Sequence, residues 1–217
     1  NRFWIIGSGQ VGWEYLNLIF NIEAYCGKVL SVPEIEPDKL QEWIEPIVEE
    51  FEIIFDDPSL EQKVLDKDRD NKSRYFDRLA DISEGVSIVA IQIFLKSICY
   101  EETKEDENKD KDEDKIIEFV PSESKKAIAK MPQLPDLPPM ESADLYILYS
   151  LVLHGDLTIS ALSESLGDEP SEVQAKVQML RRGGVIAQQE NILKINPIHY
   201  PKLKQELASN NFIINRE

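Results

Sequence analysis

Between Ser142 and Asn196 the spacing of apolar residues changes from helical to alternating, and that limits what this chain can become. Leu145, Leu148, Tyr149 and Val152 recur at helical spacing, which predicts a helix over Asp144 to His154 with one apolar face. Gly155 and Asp156 break it. Thr158 is the N-cap of a second helix, in which Leu162 and Leu166 face inward. Gly167-Asp168-Glu169-Pro170 forms a tight turn, with Pro170 suited to a first helical position. Val173, Val177 and Leu180 give a third helix its buried stripe, and Gly183-Gly184 stops it. Val185 to Gln189 and Ile192 to Asn196 then pair across Glu190-Asn191 as a hairpin.

Three short helices followed by a hairpin resemble a winged helix-turn-helix domain. A DNA reader of that kind needs basic residues on its third helix and wing. With Val173, Val177 and Leu180 inside, the face left for contact carries Gln174, Gln178, Arg181 and Arg182. Glutamine and arginine can address base edges. Beyond Lys176, Arg181 and Arg182, however, there is almost no positive charge, and Glu169, Glu172 and Glu190 flank them. The balance favours a protein partner for this face. A DNA-binding transcriptional regulator is the alternative.

Charge on the whole chain points the same way. Among 217 residues, 24 are Lys or Arg and 41 are Asp or Glu, a net charge of −17. That argues against nonspecific binding to nucleic acid or anionic membranes. A hydrophobic fraction of 42% supports a real core. Cys26 and Cys99 have no metal-ligand spacing and form no disulfide framework, so a reduced, cytoplasmic setting is expected. The apolar run from Ile88 to Ile98 is too short to span a bilayer. His154 and His199 stand in no catalytic pattern, and no nucleophile-base constellation is visible.

At the other end, Arg2-Phe-Trp-Ile-Ile6 reads as a strand, Gly7-Ser-Gly-Gln-Val-Gly12 as a glycine-rich turn, and Trp13 to Ile22 as a helix. Strand, G-x-G-x-x-G and helix together form the pattern that cradles a dinucleotide pyrophosphate. In that reading Gly7, Gly9 and Gly12 hold NAD or a related cofactor, Lys28 to Val32 is a second strand, and Glu34 meets a ribose. No further strands of a parallel sheet follow.

A second resemblance takes in more of the chain. Phe3-Trp-Ile-Ile-Gly-Ser-Gly-Gln10 looks like the last core strand of an AAA-type P-loop ATPase. Lys28 to Leu40 is similar to the segment leading into that family's helical lid, and Tyr75 to Gly85 with the apolar helix after it is similar to the lid itself. Signal-transducing ATPases of this class often carry a winged helix after the lid. The resemblance implies that Ser8 or Gln10 senses a γ-phosphate, that Arg74 or Arg78 reaches back to phosphate, and that lid closure repositions the winged helix; the alternative for Arg74 and Arg78 is a surface salt bridge to Asp77 or Asp81. No G-x-x-x-x-G-K-[ST] occurs in the sequence. The phosphate loop and the ATP/Mg site would therefore belong to a core upstream of Asn1, this chain alone would hold no cofactor, and ATPase activity would depend on that core.

Four regions are expected: 1–35 as the end of the core, 36–100 as a helical lid, 101–140 as an acidic and Pro-rich linker, and 141–217 as the winged helix. The fold class is mainly α with short β. In the lid, Pro37 to Phe51 predicts a helix whose apolar stripe is Leu40, Trp43, Ile44, Ile47, Val48 and Phe51, kinked or split at Pro46. Asp57-Pro58 starts another, with Leu60, Val64 and Leu65 inward. Asp66 to Ser73 reads as a solvated loop, and Arg74 to Ala80 as helix with Tyr75, Phe76 and Leu79 inward. Val86 to Tyr100 reads as a central apolar helix. Glu101 to Lys115 contains no apolar residue and is expected to be disordered. Ile116 to Val120 is a candidate strand, and Met131 to Pro139 an extended linker. Pro201 to Ala208 closes the chain as a helix, with Phe212 to Ile214 folding back.

Overall fold

A computed structural model describes residues 3–56, 67–100 and 126–214. The expectations for 57–66 and 101–125, including the second lid helix, the acidic segment and the strand at Ile116, lie outside the described residues. The described part is mainly α, with short strands in two small sheets. Its elements are α1 (Gln10–Phe20), α2 (Pro37–Glu50), β1 (Ile54–Asp56), α3 (Lys67–Ile82), α4 (Ser87–Ser97), β2 (Ile98–Tyr100), β3 (Ala127–Lys130), α5 (Ser142–His154), α6 (Ile159–Leu166), α7 (Pro170–Arg182), β4 (Ile186–Gln189), β5 (Ile192–Ile195) and α8 (Tyr200–Ser209). They group into two compact units, one formed by 34–133 and the other by 1–33 with 134–217.

In the 34–133 unit, α2 buries Leu40, Ile44 and Val48, while α3 buries Tyr75, Phe76 and Leu79. Phe55 of β1 meets the Tyr75 ring edge-on at 4.9 Å, and Tyr75 meets Phe94 of α4 at 6.3 Å. Ser87–Ser97 buries Val89, Ala90, Ile93 and Phe94 and leaves Ile88 and Leu95 outside. Gly85 joins α3 to α4 with φ +63°, and a Cβ there would lie 2.4 Å from Glu34 Cβ, so only glycine fits against the Glu34-Ile35 backbone.

Five expectations need correction here. The region expected as a helical lid is not all helix: β3 is the centre of a three-stranded sheet, parallel to β1 and antiparallel to β2. It supplies the pairing that ends α4 at Ser97 and turns Ile98 to Tyr100 into strand. Lys67 to Ser73 is the first half of α3 rather than a loop; Lys and Arg are good helix formers, Asn71 Nδ2 donates to the Phe55 carbonyl, and Lys72 pairs with Glu45. Pro46 does not split α2, which runs from Pro37 to Glu50 across it. Trp43 and Phe51, expected inward, are exposed, because Leu40, Ile44 and Val48 already fill the buried stripe. The proposed linker is divided: Ala127–Lys130 belongs to this sheet, whereas residues from Leu134 onward join the other unit.

In the 1–33 and 134–217 unit, Glu141 and Asp144 form a reciprocal capping box that starts α5. Thr158 Oγ1 accepts from Ala161 N at 3.2 Å at the start of α6. Leu148, Leu151, Leu162, Val173, Val177, Leu193 and Leu203 form the core. Leu137 and Met140 lie against it, and Lys202 donates to Asp136 at 2.6 Å, so the Pro-rich approach is laid down on this unit instead of hanging free. β4 and β5 pair antiparallel from Ile186↔Ile195 to Gln189↔Ile192, and Leu157 bridges to Leu193. Phe212 folds back onto Tyr146 and Tyr149 with ring centroids 5.2 and 4.8 Å apart, and Ile214 is buried.

Candidate protein-interaction surface

α7 is built so that one side must be buried and the other offered. Pro170 opens it, and Val173, Val177 and Leu180 face the core. Helical periodicity then leaves Gln174, Gln178, Arg181 and Arg182 exposed, as expected. Met179, unremarked in the sequence, is 71% exposed beside them. Between α7 and β4 runs a shallow open groove lined by Gln178, Arg181, Arg182, Ile186, Ala187 and Gln188. At the turn of the β4–β5 hairpin Gln188 Nε2 donates to the Glu190 carbonyl at 2.8 Å, and Glu190 has φ 55°. Asn196 Nδ2 donates to the Gly184 carbonyl at 3.0 Å, tying the hairpin base to the end of the helix.

Charge around the surface is largely compensated. Lys176 Nζ lies 3.8 Å from Glu141 Oε2, and Lys194 Nζ lies 2.9 Å from Asp156 Oδ2. Glu169, Glu172 and Glu190 are exposed on either side. Arg181 and Arg182 thus carry the local positive potential. Met179 lies off the Val173, Val177 and Leu180 stripe, so its exposure follows from the same helical spacing.

The glycine-rich turn leads into α1 but follows no described strand. Phe3 to Ile6 and Lys28 to Val32 form no strand or helix, and Phe3, Trp4, Ile5 and Ile6 are all exposed. A strand exists only through a neighbour, and no described strand pairs with either stretch. α1 begins at Gln10, earlier than expected, with Gly9 as its N-cap. Gly12 is therefore inside the helix, where a Cβ would come within 3.0 Å of the Leu153 carbonyl oxygen of α5 and 2.9 Å of Ser8 Oγ. It serves a close helix–helix approach. Gly7 and Gly9 have nothing within 4 Å of a built Cβ. Glu34 belongs to the other unit, against Gly85.

Of the phosphate-sensing candidates, Ser8 Oγ donates to the Gly9 carbonyl at 3.1 Å and Gln10 Nε2 donates to Glu14 Oε1 at 3.4 Å, both at the start of α1. Arg74 and Arg78 lie on α3 of the other unit, and Arg78 Nη1 is 3.0 Å from Asp81 Oδ2. His199 is buried and His154 exposed. Among the described residues, no group of His, Cys, Asp and Glu is placed to hold a metal ion, and no helix is long and apolar enough to cross a membrane. Comparison with protein-family models, curated proteins and solved structures gave no match.

Proposed function

We propose that α5, α6, α7 and the β4–β5 hairpin act as a winged helix-turn-helix module that docks protein, within a nucleotide-switched P-loop ATPase. The supporting observation is the charge pattern of α7 and the wing. Lys176 and Lys194 are already engaged by carboxylates, and Glu172 and Glu190 flank the two remaining arginines. A phosphate backbone crossing this face would meet repulsion on both sides, and phosphate neutralisation supplies most nonspecific DNA affinity. An exposed methionine and amides suit a protein contact, where adaptable apolar side chains and neutral donors are common.

The ATPase part of the reading rests on sequence resemblance, chiefly of the region from Tyr75 onward, since Phe3 to Ile6, likened to that family's last core strand, pairs with no described strand. In this reading the nucleotide is held by a core outside this sequence, and lid movement repositions the docking module. The test is fluorescence anisotropy with random and selected duplexes at low and moderate salt, beside an assay of phosphate release from ATP. Neither DNA binding at micromolar concentration nor ATP turnover by this chain is expected. Tight, salt-sensitive DNA binding lost on Arg181→Ala with Arg182→Ala would replace protein docking by DNA recognition. Turnover abolished by Gln10→Ala would overturn the assignment of the nucleotide to another segment.

A further inference from the structure

We propose that the groove between α7 and β4 receives an acidic peptide segment, its carboxylates held by Arg181 and Arg182 and an apolar side chain resting on Met179. This deepens the protein-docking reading and depends on it. Three cations of the same unit, Lys176, Lys194 and Lys202, each lie within 4 Å of a carboxylate, at 3.8, 2.9 and 2.6 Å. Arg181 and Arg182 form no ion pair with any described residue, although the chain carries a net charge of −17 and carboxylates abound. A cation at a helix C-terminus is favoured by the macrodipole, and that accounts for basic residues in the last turn of α7. It does not account for their lining a groove together with two glutamine side chains and the exposed Ala187.

Guanidinium groups recognise carboxylates through paired, charge-assisted hydrogen bonds. Gln178 and Gln188 supply neutral amides along the same groove. A peptide can confine its carboxylates to the groove, whereas duplex phosphates would extend over Glu172 and Glu190. Met179, 71% exposed, lies one turn before Arg182 on α7 and outside the groove's own lining, and its flexible thioether adapts to whichever apolar residue the segment carries.

The test is an anisotropy titration of the whole chain against a fluorescein-labelled peptide of repeated Glu-Glu-Leu-Ser, at rising salt. Saturable binding that weakens with salt is expected. Arg181→Gln with Arg182→Gln should weaken it roughly tenfold or more, since hydrogen bonds to charged groups are the strong ones. Met179→Ala should weaken it less, and Lys202→Gln should leave it unchanged. Both arginines are exposed, and a circular-dichroism melt confirms that the double variant folds. Equal binding of a Gln-Gln-Leu-Ser peptide overturns the acidic preference and leaves protein docking standing. Absence of peptide binding overturns the inference. Tighter binding of duplex DNA through the same arginines overturns both.

Discussion

Gly12 and Gly7 belong to one motif in the sequence and have opposite structural standing. A methyl group at Gly12 would press within 3.0 Å of the Leu153 carbonyl, whose backbone cannot easily yield, and 2.9 Å from Ser8 Oγ, which can. Helix propensity would favour alanine by up to about 1 kcal/mol. Overpacking of a backbone contact costs about 1–3 kcal/mol, so Gly12→Ala should be destabilising on balance. Gly7→Ala meets open space and should change stability by less than about 0.5 kcal/mol. Urea unfolding of the two variants checks this, and equal losses would refute the packing role. NAD should raise the melting temperature of neither variant nor the parent; a saturable rise lost in Gly9→Ala would restore the dinucleotide reading. Tyr75 offers a second test. Burial pushes its phenol up to about 12, against a smaller downward pull from its hydrogen bond to Ser97. The folded state therefore holds the proton that the unfolded chain gives up near pH 10. The associated stability is present below pH 10 and lost as pH rises toward 12, by roughly 2–3 kcal/mol. Denaturant unfolding at pH 9 and 11.5 should show a smaller alkaline loss in Tyr75→Phe than in the parent, and an equal loss would dismiss the effect.

Thr158 and β3 illustrate which elements carry their own instructions. Thr158→Ala removes the acceptor for Ala161 N and should cost about 1 kcal/mol, read by thermal unfolding. No measurable change would mean that Thr158 does not cap α6. Ala129 pairs with Phe55 on one side and Ile98 on the other, so Ala129→Pro puts proline in a central strand. The expected cost is about 3 kcal/mol or more. Hydrogen exchange at 54–56 and 98–100 should accelerate sharply; unchanged exchange would deny β3 its central place. The first of these features was readable in advance and the second was not. Caps, helical stripes and the Glu190-Asn191 turn act over a few residues, so α5, α6, α7 and the hairpin were predictable from spacing. β1 and β2 are three residues long, β3 is four, and they come from three distant stretches of the chain. Such runs contain no period to detect, and their pairing is decided by tertiary contacts. The apolar run Phe3 to Ile6 shows the reverse error: composition alone said strand, but pairing needs a neighbour. Gln174, Gln178, Arg181 and Arg182 were found because the buried stripe of α7 fixes what is left outside. Met179 lies off the same stripe, and an apolar side chain left exposed there is ordinary for a helix surface.

For the molecule as a whole, charge sets two responses to salt that run in opposite directions. A net charge of −17 makes the folded chain repel itself, because folding brings carboxylates closer than they are in the expanded state. The surface ion pairs compensate little of this. Lys39–Glu36 and Arg78–Asp81 join highly exposed side chains, and such pairs are worth about 0–1 kcal/mol. Screening length falls from about 30 Å at 0.01 M ionic strength to about 8 Å at 0.15 M, so modest salt removes most repulsion between distant carboxylates. The melting temperature should therefore rise with sodium chloride over that range by a few degrees, since about 1 kcal/mol corresponds to roughly 2–4 °C in a chain of this size. Affinity for the acidic peptide should fall over the same range, because Arg181 and Arg182 attract what the rest of the molecule repels. A salt titration read both by thermal unfolding and by peptide anisotropy separates the two terms. A melting temperature that falls with salt would show that attractive pairs, rather than carboxylate repulsion, dominate the folded state.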